Sequence, residues 1–416
     1  MPTENFDLLN QNCENPPFAQ SRFSKFFQES NENQTKNNKM NLNFNVNVFT
    51  GFNNINNYVN YFNNEKPNIV NDSQTKESIN NNTSINLNNS KDTTLTKILC
   101  TRDGLHKMKS FFDSNSRATD FITNIILLLN KENGLHIVFS NMYGNYFIQD
   151  IIPKMNSEQI QLLLNSIFPH FVEIAENYSG THCLQELMNQ VSDPKMETIV
   201  LNAIKGKEIE MAYDGNATHV LQKILLVIID TKRVDLNNIM IENIKDFSLN
   251  QNTIFVLKKF IATTTILENK KKICDIFSKY CIKISQNPFG NYAIQYLFEI
   301  WPLKDFEQVN KEIISKANIL SCQRFSSNVV ETALEAFDEK RRNKLINRLC
   351  FDKNILYFIK NKYARFIINK CVNYLKNEKR QELENQIRRE LKNANPKEYV
   401  KINKFIDNLK LKKEDM

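Results

Sequence analysis

The chain has 416 residues, 41% of them apolar, enough for two or three ordinary domains or for one long repeat array. Charge is uneven: residues 1–95 carry 7 Lys and Arg against 9 Asp and Glu, net −2, leaving 47 against 37, net +10, for residues 96–416. Apolar runs such as FITNIILLL and KILLVII are too short to span a bilayer, no secretory signal pattern opens the chain, and the eight cysteines lack CxxC or Cys/His ligand spacing. The expectation is a cytoplasmic protein with reduced thiols, no membrane segment and no structural metal.

Residues 1–95 form the first predicted region. Residues 1–90 contain 27 Asn, in runs such as NLNFNVNVF and NNINNYVNYFNN. So few branched apolar side chains cannot offset the entropy of ordering the segment, which is expected to be disordered. Interspersed Phe and Tyr suit weak multivalent contacts of the kind that assemble granules; an inert low-complexity tail has the same composition.

From residue 96 onward apolar residues recur at i, i+3, i+4 and i+7, as in SEQIQLLLNSIFPHFVEIAENY, and predict helices. The helical region is self-similar. Aligning YGNYFIQDII, SGTHCLQELM, NATHVLQKIL, NTIFVLKKFI, FGNYAIQYLF, FSSNVVETAL and YARFIINKCV makes Gln149, Gln185, Gln222, Lys258, Gln295, Glu331 and Asn369 equivalent, at intervals of 36, 37, 36, 37, 36 and 38. DGLHKMKSFF adds an upstream copy with Lys109 in the same place, 40 residues earlier. Eight copies at this period predict a helical solenoid.

Each copy follows one order: a short apolar turn, a small residue, a helix, then a third amphipathic stretch. Gly104, Gly144, Gly180 and Gly290, half of the eight glycines in the chain, hold the small position, with Ala217 and Ser326 substituting. A small residue is expected where the helix meets its neighbour's backbone. The two residues after the ring position, Cys183 among them, are expected in the core, and Cys371 likewise.

The polar positions recur too. Asn145, Tyr146 and Gln149; Thr181, His182 and Gln185; Thr218, His219 and Gln222; Asn291, Tyr292 and Gln295; and Ser327, Asn328 and Glu331 all stand at i, i+1 and i+4. On a helix i and i+4 lie one above the other, whereas i+1 points aside. The array therefore presents two hydrogen-bonding groups and one flat group per copy.

The GNYxxQ, THxLQ and SNVVE signatures, in eight copies near 36 residues apart, resemble the Pumilio or PUF family of single-stranded RNA-binding proteins. The resemblance covers residues 96–416, including a closing helix at EYVKINKFIDNLK. It implies an all-α fold: a right-handed alpha-alpha superhelix, a crescent-shaped solenoid of eight three-helix repeats with capping half-repeats. It also implies base reading, with Asn145, Gln149, Thr181, Gln185, Thr218, Gln222, Asn291, Gln295, Ser327, Glu331, Arg365 and Asn369 at base edges. Tyr146, His182, His219, Phe255, Tyr292, Asn328 and Phe366 would stack on base faces.

Hydrogen-bond chemistry assigns the bases. Uracil alternates acceptor, donor and acceptor, which the amide pairs Asn145/Gln149 and Asn291/Gln295 match. Guanine offers adjacent donors, which suit the acceptor-only carboxylate of Glu331 with Ser327 beside it. Thr181/Gln185 and Thr218/Gln222 pair a short hydroxyl with an amide and are similar to the family's adenine-reading pairs; the resemblance implies adenine there, with uracil as the alternative. The last repeat has Arg365, Phe366 and Asn369 where the family has Asn, Tyr and Gln. The fifth has Ile254, Phe255 and Lys258, and the first Leu105, His106 and Lys109, so none of these three has an assigned base. With the family's antiparallel polarity the expected site is 5′-N-G-U-N-(A/U)-(A/U)-U-N-3′.

No Ser, Cys or carboxylate stands at nucleophile or general-base spacing, and no phosphate loop is present, so no enzymatic activity and no cofactor are expected. The resemblance implies binding to mRNA 3′ untranslated regions and repression of translation or stability through deadenylase or repressor partners, in the cytoplasm or in RNA granules. Two alternatives stay open: a ribosome-biogenesis factor of the same superfamily on structured RNA, and a protein-binding helical solenoid.

Overall fold

The computed structural model describes residues 94–113, 118–391, 402–403 and 405–407, all within one compact unit. Nearly all of the asparagine-rich segment, with Cys13, therefore lies outside the described residues. So does most of the expected closing helix; within it 402–403 and 405–407 are helical and bury Ile402, Phe405 and Ile406.

Among the described residues up to Leu391, 24 α-helices fall into eight groups of three, with no strand. Each group opens on a short helix, from Leu95–Leu99 in the first to Ile355–Lys360 in the eighth. The second helices carry the recurrent triples and are labelled α1 (Arg102–Asp113), α2 (Gly144–Ile151), α3 (Gly180–Met188), α4 (Ala217–Val227), α5 (Thr253–Thr263), α6 (Gly290–Ile300), α7 (Ser326–Ala336) and α8 (Ala364–Asn373). Each of these packs against the next, from α1 to α8 without a break. The third helices run from Ala118–Lys131 to Asn377–Leu391, and several pack on the third helix of the next repeat, among them Leu267–Lys279 on Glu307–Ser315. The eight-copy register expected from the sequence, the first copy included, is thus the physical repeat.

The core follows from the helical period. The two residues after each ring position are buried: Phe147 and Ile148, Cys183 and Leu184, Val220 and Leu221, Ala293 and Ile294, Val329 and Val330. Burying one such side chain contributes about 1.5–3 kcal/mol, repeated in every layer of the stack. Cys183, Cys274, Cys281, Cys350 and Cys371 are part of this core, while Cys100 and Cys322 are half-buried. Burial pushes the Cys100 thiol up to about 11 and that of Cys274 up to about 12, so both are neutral thiols at physiological pH.

The small residue at the head of each second helix has a specific cause. A Cβ on Gly144, Gly180 or Gly290 would stand 2.7, 2.3 or 2.5 Å from the carbonyl oxygen of Val138, Ile174 or Ile284, in each case six residues back. Gly104 makes the same approach to Ile98. The crowding neighbour is the first helix of the same repeat, and Gly290 also meets the preceding repeat, at Ser248. In two repeats a hydroxyl takes the glycine's place and bonds the equivalent carbonyl: Thr253 Oγ1 donates to Phe247 O at 2.6 Å, and Ser326 Oγ to Leu320 O at 2.7 Å.

Three residues before that position a side-chain carbonyl or carboxylate closes the turn. Asn141, Asn177, Asp214, Asn287 and Asn361 each accept from the backbone N–H two and three residues on. Gln323 does the same for α7 with a longer side chain. These bonds satisfy helix-start donors that otherwise have no partner and fix the angle at which each second helix enters the stack.

Candidate nucleic-acid interface

The i and i+4 residues do meet. Gln149 Nε2 donates to Asn145 Oδ1 at 2.9 Å on α2, and Gln295 Nε2 to Asn291 Oδ1 at 2.8 Å on α6. Asn145 and Asn291 also donate from Nδ2 to the carbonyls of Asn141 and Asn287, the turn-closing residues. The start of each helix therefore holds the first amide, and the first amide holds the second. Asn145, Asn291 and Gln295 are buried, whereas Gln149 is half-exposed.

On α3 and α4 the glutamines turn back on their own helix. Gln185 Nε2 reaches Thr181 O at 3.2 Å and Thr181 Oγ1 at 3.4 Å; Gln222 Nε2 reaches Thr218 O at 3.2 Å. The two threonines, both buried, differ. Thr181 Oγ1 donates to Asn216 O of the next repeat at 3.0 Å, while the hydroxyl of Thr218 has no hydrogen-bond partner among the described residues.

At the other end of the stack Ser327 is buried and bonded to Arg324 O at 3.1 Å, and Glu331 is half-exposed. Arg365, Phe366 and Asn369 are all exposed, and the Arg365 guanidinium lies 4.9 Å from the centre of the Phe366 ring. In the fifth repeat Ile254 is buried and the Lys258 ammonium sits 4.3 Å over the Tyr296 ring. Burial pulls the Lys258 ammonium below its usual range, and the nearby Glu299 opposes that shift. Lys109 in the first repeat is paired with Asp150.

The ring positions are the open ones. Tyr146 is 55% exposed, Phe255 40%, Tyr292 42% and Phe366 58%, large fractions for rings on packed helices. His219 and Asn328 are exposed as well, and His182 is half-exposed with its ring edge-on to Tyr178, centroids 5.8 Å apart. Between α6, α7 and α8 these groups border an open cleft of about 670 Å³, lined by Tyr292, Ser327, Asn328, Glu331, Phe366 and Asn369 among others. The cleft brings together rings, an amide and a carboxylate from three successive repeats.

A further set of residues, absent from the sequence reading, occupies the position after the second polar residue. Each reaches back to the polar residue of the preceding repeat. Lys370 pairs with Glu331, Thr332 Oγ1 donates to Gln295 Oε1 at 3.1 Å, Tyr296 lies under Lys258, and Asp150 pairs with Lys109. Their regular spacing is visible in the sequence once the repeats are aligned. Their varied chemistry hides it.

Comparison with known proteins follows the same repeats. Residues 140–168, 170–202, 280–314 and 318–350 match the family model described as the Pumilio-family RNA binding repeat, which corresponds to the second, third, sixth and seventh copies. Pumilio homolog 11 of Arabidopsis thaliana is 26% identical over 287 residues, covering 63% of this chain and 46% of that protein. A Pumilio domain-containing protein of Schizosaccharomyces pombe is 25% identical over 271 residues, covering 58% of this chain and 37% of that protein. The chain thus aligns with less than half of the length of these curated relatives. Among solved structures, the Puf4 RNA-binding domain bound to an HO endonuclease RNA 3′ UTR recognition sequence aligns with a TM-score of 0.63 at 20% identity, over 74% of this chain and 98% of that chain. The RNA-binding domain of yeast Puf5p bound to SMX2 RNA aligns with a TM-score of 0.61 at 20% identity, over 76% and 97%. At this identity the structural likeness concerns the fold.

Proposed function

Because the chain belongs to the Pumilio family of RNA-binding repeat proteins, we propose that it binds single-stranded RNA at one base per repeat and reads 5′-N-G-U-N-(A/U)-(A/U)-U-N-3′. The observation that carries this reading is the cleft between α6 and α8, where Glu331 and Ser327 stand between flat groups from neighbouring repeats. A guanine placed there stacks against Phe366 on one side and directs its N1 and N2 donors at the carboxylate. Uracil would set acceptor oxygens against the same charge.

At Asn145/Gln149, Thr181/Gln185 and Asn291/Gln295 the edge groups are already bonded within the protein, so a base exchanges bonds and does not fill an empty site. At Asn291/Gln295 the exchange would free amides that both donate and accept, chemistry that suits the alternating edge of uracil. Exposed rings at the i+1 position add stacking worth roughly 1–3 kcal/mol per base. The fifth repeat supplies Phe255 as a platform without an edge pair, since Ile254 is buried and Lys258 is engaged with Tyr296.

Binding of this kind directs the protein to 3′ untranslated regions of mRNA, where it represses translation or stability by bringing deadenylase or repressor proteins, in the cytoplasm and its RNA granules. Selection of bound sequences from a random RNA pool, run with the full chain and with Glu331→Gln, tests the central step. The expected outcome is a GU core whose guanine is fixed for the parent chain and relaxed in the variant. Enrichment of structured RNA indifferent to Glu331→Gln, or of no sequence, would overturn it.

A further inference from the structure

Glu331 and Glu335 lie one turn apart on α7, and like charges at this spacing repel each other. Lys370, from α8 of the next repeat, pairs with both carboxylates at once. All three side chains are between a third and two-fifths exposed, so the cluster sits at the rim of the cleft and not in the core. Of the remaining ionisable groups around the cleft, Arg324 comes from the turn before α7, Tyr292 from α6 and Tyr363 from the turn before α8. No carboxylate other than Glu331 lines it among the described residues.

We propose that Lys370 is a second specificity determinant of the guanine site, a positioning residue that holds the Glu331 carboxylate and aims it across the repeat boundary. The inference rests on the reading of Glu331 as the guanine acceptor. One ammonium holding two carboxylates cancels the repulsion between them and occupies part of the Glu331 acceptor capacity, leaving the rest for the two donors of the base. The same cross-repeat register places Thr332 on Gln295, where the hydroxyl occupies Oε1 while Nε2 faces Asn291. Lys370 and Thr332 are thereby handles on the base read by the repeat before their own.

The test compares the full parent chain with Lys370→Met, Lys370→Arg and Glu331→Gln. Each is titrated with eight-nucleotide RNAs of the proposed sequence carrying guanine, adenine or uracil at the second position. In Lys370→Met guanine preference is expected to fall by about threefold, a typical effect of losing a partly exposed ion pair. Lys370→Arg should restore it. A purely structural role for Lys370 would weaken all three RNAs alike, and that result would overturn the inference. If Glu331→Gln relaxes guanine preference and Lys370→Met does not, base reading stands and only the role of Lys370 fails. If neither changes it, both fail.

Discussion

Ser326 Oγ donates to the carbonyl of Leu320 at 2.7 Å, six residues back, at the point where four other repeats carry glycine. The close approach that excludes a side chain in those repeats becomes a buried hydrogen bond in this one. Ser326→Ala leaves the methylene and removes the bond, so a loss of about 1 kcal/mol is expected from the shift in urea midpoint. Gly180→Ala forces a Cβ to within 2.3 Å of Ile174 O, and overpacking of this sort typically costs about 1–3 kcal/mol. Gly180→Ala should therefore be at least as destabilising as Ser326→Ala; the opposite order would show that the helices adjust to a Cβ more easily than this geometry allows.

Arg233 fastens the fourth repeat to the fifth. It is 1% exposed, and its guanidinium donates to Leu225 O, to Ile228 O at 2.6 Å, to Thr263 Oγ1 at 2.7 Å and to Asn237 Oδ1 at 3.0 Å. Replacing it with Met strands several buried acceptors, for an expected loss of roughly 3 kcal/mol. Lys should rescue little, because one ammonium has three donors on a point where the guanidinium spreads five. Thermal unfolding of Arg233→Met and Arg233→Lys, at low and high salt, checks this. Since the network is buried, salt should not change the difference.

Acid sensitivity has a local source at the second and third repeats. The rings of His136 and His170 are stacked, centroids 4.0 Å apart and 13° from parallel, and His170 is bonded to Glu173. Burial, and then the charge of His170, hold His136 below its ordinary range, with Glu173 opposing. The unfolded chain thus takes up this proton first. The contribution is fully present above about pH 6.5, the ordinary imidazole value, and is lost as pH falls toward the lower folded-state value. His136→Gln should flatten that part of the stability profile relative to the parent chain. Parallel profiles would place the acid sensitivity elsewhere.

Much of this organisation is legible in the sequence because repetition supplies the statistics a single segment lacks. One NYxxQ is uninformative, but Asn145/Gln149 and Asn291/Gln295 in a common frame define the register, and the structure joins each pair by a hydrogen bond. The glycine position was legible for the same reason, although its crowding neighbour is the first helix of its own repeat. What was not legible depends on chemistry that varies while its geometry repeats. Lys370, Thr332, Tyr296 and Asp150 occupy one structural position, yet they are a cation, a hydroxyl, a ring and an anion, so alignment by residue type passes over them. The turn-closing side chains are similar: Asn recurs, but Asp214 and Gln323 perform the same task with different lengths and charges.

The fifth repeat allows the base-reading scheme to be tested by construction. Its ring platform, Phe255, is exposed like those of its neighbours, yet Ile254 is buried without a polar group and Lys258 lies over Tyr296. The parent chain should therefore bind RNAs that differ at the fourth base with nearly equal affinity, while Phe255→Ala weakens all of them by a comparable factor. Installing Ile254→Asn with Lys258→Gln recreates the amide pair of α2 and α6, where the first amide is held by the turn before the helix. Asn250 stands ready in the equivalent turn, already accepting from Asn252 N at 2.8 Å. The double variant should prefer uracil at the fourth base by about 1–3 kcal/mol, the usual scale for one discriminated position. The readout is competition binding among four RNAs identical except at that base. A double variant that folds, binds and remains indifferent there would show that the amide pair alone does not select a base, and would shift the burden of specificity to the cross-repeat residues such as Tyr296.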